Sequence, residues 1–128
     1  ALRPDEPTAY FNLGAVLDNS GHDVEAAQRY LVAKKRYTVG SKGWARATAA
    51  AFVALMQEVC AEVAKPQWWN DEGLKALSAR VLRAAPNEQT ANFMRANVLC
   101  GGGGAWEAGP RLGAEFKEAA SHYDRSAA

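Results

Sequence analysis

Apolar positions along this chain recur at the spacing of one helix face, and short polar or glycine-rich clusters interrupt them. Tyr10, Leu13 and Leu17 form the first such stripe, Leu74, Leu77, Val81 and Leu82 a later one, and Phe93, Ala96 and Leu99 another. Phe116, Ala119, Ala120 and Tyr123 form the last. Steps of three and four residues are the signature of an amphipathic helix rather than a strand. The interruptions are Gly21-His22-Asp23, Lys65-Pro66-Gln67-Trp68-Trp69-Asn70, Pro86-Asn87 and Cys100-Gly101-Gly102-Gly103-Gly104. Together they predict helices ending near Asn19, then over about Val24–Tyr37, 42–64, 71–85, Glu88–Cys100 and Arg111–Ala127.

Local chemistry supports these limits. Ser41 is a plausible N-cap for the third helix, and Asn70 or Asp71 for the fourth, because their side-chain oxygens can accept a first-turn N–H. Asp5 can cap the first helix, with Pro7 in its first turn. Proline disfavours the helical conformation at the residue before it, so Lys65-Pro66 ends a helix. Four consecutive glycines carry too much backbone entropy to hold one, and Gly101–Gly104 reads as a flexible connection.

Tyr10-x-x-Leu13-Gly14-x-x-Leu17 followed by Ala26-x-x-x-Tyr30 resembles the tetratricopeptide repeat (TPR) pattern W-x2-L-G-x2-Y…A-x3-F. Gly14 and Ala26 occupy the slots where two antiparallel helices approach closely, and Tyr30 fills the gap beside them. Trp44 stands 34 residues after Tyr10, one repeat period on. The resemblance implies an all-α, right-handed helix-turn-helix solenoid of three units, about 7–40, 41–88 and 89–128. Residues 1–6, with Leu2 and Pro4, look like the tail of a preceding repeat, which implies a longer parent protein. An upstream unit would cover the apolar stripe of the first helix, so this chain alone is expected to self-associate. The second unit is longer than one period, and the long third helix with the Trp-Trp loop is expected to house the excess. Asn92 and Arg95 depart from the pattern, since they fall where large apolar residues belong.

Composition narrows the function. At 128 residues and 48% hydrophobic, the chain can bury a core as one domain. Its net charge of +1 is too balanced for a nucleic-acid or membrane-surface binder, and no apolar run is long enough for a membrane span. Cys60 and Cys100 lack metal or redox spacing and read as buried reduced thiols, which favours a cytoplasmic setting.

No catalytic constellation emerges, and no cofactor or metal site. His22 and His122 stand 100 residues apart with no nucleophile arranged beside either, and both read as solvated. The four glycines lack the Lys-Ser/Thr and the preceding strand of a phosphate loop. Lys34-Lys35-Arg36 reads as a helix end complementing its dipole. Trp68-Trp69 is either a binding anchor or a cover folded back over the core.

Solenoids of this kind bind extended peptides along a groove lined by the first helix of each unit. The resemblance places Thr8, Phe11, Asn12, Ala15 and Asn19 there from the first unit. Lys42, Ala45, Arg46, Ala49 and Val53 come from the second, and Thr90, Phe93, Met94 and Asn97 from the third. Lys42 and Arg46 lie one turn apart, where like charges repel slightly and an acidic ligand would relieve the repulsion. This pair, near Asn12, is similar to half of the carboxylate clamp with which co-chaperone repeat domains hold acidic chaperone tails. The expected function is therefore protein–protein interaction, with a peptide or partner surface, acidic or ending in a carboxylate, docked in the groove. The alternatives are a substrate-recruiting segment of a larger enzyme, and a structural segment whose groove is filled by its own insertion.

Overall fold

The computed structural model describes residues 6–127, so the expectations placed on Leu2, Pro4 and Asp5 lie outside the described residues. Six α-helices run over Pro7–Asn19 (α1), Asp23–Arg36 (α2), Lys42–Leu55 (α3), Asp71–Ala84 (α4), Gln89–Leu99 (α5) and Gly113–Ala127 (α6). Short 3-10 turns occupy Glu58–Cys60 and Gly102–Gly104, and no strand occurs among the described residues. The protein is all-helical. None of these helices is long and apolar enough to cross a membrane.

Two of the expected caps are made. Ser41 Oγ accepts a hydrogen bond from the Trp44 N–H at 3.1 Å, and Asn70 Oδ1 from the Gly73 N–H at 2.8 Å. Each satisfies one of the donors that a helix start leaves without an internal partner.

Packing follows chain order. α1 lies on α2, α2 on α3, α3 on α4 and α5, α4 on α5, and α5 on α6, with a lighter contact between α1 and α3. α3 is central. Ala45, Ala47, Ala49, Ala51 and Ala54 are all buried, and so many small side chains let neighbours approach it from several sides. One apolar cluster gathers Trp44, Phe52, Leu74, Val81, Met94, Val98 and Trp106. A second gathers Ala26, Ala27, Tyr30, Ala51, Ala54 and Leu55. Trp68 and Trp69 pack against both clusters, so the pair acts as a cover that joins them.

Gly14 is the close approach between α1 and α2. A Cβ built there would stand 2.8 Å from two ring carbons of Tyr30, which is buried. Gly14→Leu should therefore overpack this contact and cost about 1–3 kcal/mol. Gly21, with φ +81° and open space around it, serves only the turn, so Gly21→Ala should cost about 1 kcal/mol. Paired thermal melts check the order; a Gly14→Leu protein as stable as the parent would remove this contact as a packing determinant.

Several expectations are corrected. The third helix ends at Leu55, not near residue 64, and residues 56–70 form an irregular segment that alone houses the excess length. Met56, Val59, Cys60 and Val63 keep helical spacing, but the segment forms only a short 3-10 turn at Glu58–Cys60, which packs on α2. The chain turns back instead, burying Cys60 and leaving Val59 exposed. The Lys65 ammonium holds this turn by donating to the carbonyls of Cys60 and Val63. Cys100 is exposed rather than buried. Leu13 and Val16 of α1 also stand exposed, because among the described residues α1 packs on α2, and more lightly on α3, through its other side.

The inward face of α6 is rotated from the expected one. Ala119 and His122 are buried, Tyr123 is half-buried, and Phe116 and Ala120 face outward. The cause lies on α5, where Asn92 and Arg95 require polar partners. Asn92 Nδ2 donates to the Pro86 and Glu88 carbonyls at 3.0 Å each, which turns its Oδ1 toward His122 Nδ1, 3.0 Å away. His122 Nε2 meets Glu118 at 3.1 Å, and Arg95 joins Glu118 to Ser78 and the Lys75 carbonyl on α4. Burial raises the Glu118 carboxyl, but the His122 hydrogen bond and the Arg95 charge outweigh it and hold the group below its ordinary value. No buried side-chain polar atom among the described residues lacks a partner. The two departures from the repeat pattern are thus answered by a polar seam linking α4, α5 and α6.

Candidate interaction surface

The surface on which the expected groove residues converge runs over α1, α3 and α5. Phe11 of α1 tilts against Tyr30 at a centroid distance of 5.3 Å, and the Arg46 guanidinium of α3 lies 4.9 Å above the Phe11 ring. That contact puts one predicted residue from each of α1 and α3 on a common surface. Arg46 also reaches Glu88, just before α5, at 3.8 Å. Farther along, Val53 of α3 lines an open cleft of about 200 Å³ with Gln89, Thr90 and Phe93 of α5 and Ser126 of α6. Phe93 is 38% exposed and meets Tyr123 edge-on. A large ring left open beside a cleft is the kind of feature that anchors a partner side chain.

The predicted residues divide into two groups. Thr8, Asn12, Asn19, Lys42 and Arg46 are exposed, and Phe11, Ala15 and Val53 are half-buried, so all can reach a partner. Ala45, Ala49 and Met94 are fully buried in the core and present no side chain to any ligand. They are inward because α3 and α5 are covered on more than one side, so residues flanking the core slots also face neighbours. Thr8 additionally shares a hydrogen bond with the Tyr37 hydroxyl at 3.2 Å.

The electrostatics differ from those expected. Besides its repulsion from Lys42, Arg46 already has an acid of the chain nearby, with Glu88 3.8 Å away. Both members are substantially exposed, and such a pair contributes about 0–1 kcal/mol, so a ligand carboxylate can displace Glu88 at little cost. Lys42 borders a cavity of about 250 Å³ with Ala85, Pro86, Asn87 and Glu88. Glu88 lies 42 residues after Arg46 in the chain, so the local spacing of Lys42 and Arg46 did not reveal it.

His22 is exposed, 3.8 Å from Glu25. His122, expected on the surface, is buried, and each ring nitrogen already faces a protein acceptor. Both ring nitrogens are thus engaged within the fold. No cluster of three or more metal-ligating side chains occurs among the described residues.

Comparison with family models, with curated proteins and with solved structures returns no match for this chain.

Proposed function

We propose that the chain is a protein–protein interaction module of helical-repeat type, a TPR-like right-handed solenoid that receives a peptide or partner surface along α1, α3 and α5. The sequential packing of the helices supports the repeat reading, as do the Gly14–Tyr30 contact and the light α1–α3 contact. The observation that carries the functional reading is the cleft where Val53, Thr90 and Phe93 stay open between helices otherwise closed by packing. Phe93 and Val53 supply apolar anchorage, while Lys42 and an Arg46 released from Glu88 supply selectivity for an acidic or carboxylate-bearing end. The module itself performs no chemistry and works in the cytoplasm, in keeping with two unpaired cysteines.

Photo-crosslinking from position 93, followed by mass spectrometry of the captured partner, tests this. The partner should be bound by the parent and lost by about thirtyfold or more with Phe93→Asp, the scale of a hot-spot residue. Val59→Asp, an equally charged change at an exposed site away from the cleft, should leave binding unchanged. Equal binding by the parent and a folded Phe93→Asp protein would overturn the assignment.

A further inference from the structure

A second surface, built from different residues, surrounds Trp44 and Trp68. The Lys34 ammonium lies 5.8 Å from the Trp44 ring centre and 5.6 Å from that of Trp68, and the Arg80 guanidinium lies 5.2 Å from Trp44. Arg83 lines a cavity of about 200 Å³ beside Arg80 and Trp44. On the other side of Lys34, a cavity of about 620 Å³ is walled by Leu31, Val32, Pro66 and Trp68, with Lys35 at its border. Lys34 and Arg80 are therefore held on aromatic rings, beside a mostly apolar cavity.

These cations lack acids. Among the described residues no carboxylate pairs with Lys34, Lys35, Arg80 or Arg83. Helix neighbours could have supplied one at three or four residues' distance, but around Lys34 these are Tyr30, Leu31 and Tyr37, and around Arg80 they are Ala76, Leu77, Arg83 and Ala84. Burial, and secondarily the nearby Arg80 charge, draws the Lys34 ammonium below its ordinary value.

We propose that this strip is a second docking site, for an acidic peptide segment of a partner protein. Its carboxylates pair with Lys34, Arg80 and Arg83, and an aliphatic side chain enters the Leu31–Pro66–Trp68 cavity. The cations come from two helices on either side of Trp44, which suits an extended chain with several acids better than one compact anion. Nucleic acid fits less well. Trp44 is 2% exposed and Lys34 covers part of the Trp68 ring, so neither offers an open face for base stacking. The site is independent of the α1–α3–α5 cleft, and the variants below separate the two.

The probe is an acetylated, amidated peptide of alternating Glu and Leu, titrated into the labelled protein and read by NMR at Lys34, Trp44 and Trp68. Those signals should move, and affinity should fall by about tenfold or more when Gln replaces Glu, and also when Ser replaces Leu. Arg80→Glu/Arg83→Glu should abolish binding, and raised salt should weaken it in the parent. Phe93→Asp should change nothing. As a control on folding, the charge-reversed protein should bind a Lys-Leu peptide that the parent rejects. No shift at millimolar Glu-Leu peptide overturns the site, as does equal binding by the Gln peptide or by the charge-reversed protein. Loss of binding in Phe93→Asp would move the peptide to the cleft. Tighter binding of oligouridylate at the same signals, or their movement with protein concentration alone, would assign the strip to nucleic acid or to a second copy of the chain, and each overturns the proposal.

Discussion

Asp71→Ala is expected to cost about 3–5 kcal/mol. Asp71 opens α4, yet its carboxylate serves the far end of the domain. It pairs with both terminal nitrogens of Arg111 and accepts hydrogen bonds from Trp106 Nε1 and the Gly109 N–H, each at 3.1 Å. Arg111, 4% exposed, also donates to the Leu99 and Val98 carbonyls and so closes the end of α5. Removing the carboxylate would leave that guanidinium buried without its counter-charge. Urea denaturation of Asp71→Ala, Arg111→Ala and the double variant checks this. The double variant should lose less than the two single losses combined, because the partners act on each other. Single variants within about 1 kcal/mol of the parent would show that the pair carries no such weight.

The same group sets an acid limit. The Arg111 hydrogen bonds, against the opposing effect of burial and with help from Trp106 and Gly109, hold the Asp71 carboxyl well below the usual carboxylate range. A carboxyl depressed in the folded state contributes stability that is fully present above its unfolded value of about 3.9. That contribution is lost as pH falls below this value toward the folded one. Melting temperature should therefore decline more steeply below about pH 4 in the parent than in Asp71→Asn, which has no such proton to take up.

Gly102→Ala should cost about 3 kcal/mol, from two effects that add. Gly102 has φ +69°, where a side chain costs about 1 kcal/mol or more. An added Cβ would also stand 2.1 Å from a Trp106 ring carbon, and accommodating it would cost about 1–3 kcal/mol. The ring cannot move aside readily. Phe52 and Trp69 flank it at 5.9 and 5.8 Å, and its N–H is held by Asp71. Gly103→Ala is the internal comparison, because its φ is +61° but nothing lies near its Cβ position. It should lose only the backbone part, about 1 kcal/mol. Equal melting temperatures for the two alanine variants would show that Trp106 does not press on Gly102. The glycine run, which the sequence suggests is a flexible connection, forms a turn in which all four glycines have positive φ, and Gly102 forms a seat for Trp106.

Cleft and strip differ in how far they could be seen in advance. The resemblance placed Phe11, Lys42, Arg46 and Val53 on one face, and in the fold each is exposed or half-buried, whereas Ala45, Ala49 and Met94 from the same placement are buried. Glu88, brought beside Arg46 by the packing of α5 on α3, was not visible in advance. Neither was the strip, since Lys34 and Arg80 stand 46 residues apart in the chain and meet only across Trp44.

The sequence by itself determined where most helices start and stop, because caps, prolines and glycines act within a few residues of themselves. Ser41, Asn70 and Gly21 mark their boundaries from within their own turns. It also determined the α1–α2 contact, since Gly14, Ala26 and Tyr30 meet through the geometry of two adjacent helices. Tertiary structure decided what depends on a distant partner. α3 stops at Leu55 although its apolar spacing continues, and the chain beyond it turns and packs on α2 through Glu58–Cys60. His122 turns inward because Asn92 and Glu118 give its two nitrogens partners that solvent would otherwise supply. Asp71 became the fixed point of the α5–α6 connection because Trp106, Gly109 and Arg111 converge on one carboxylate from nearly 40 residues away. Such pairings leave no period in the sequence; burial selects them by penalising any polar group that arrives without its partner.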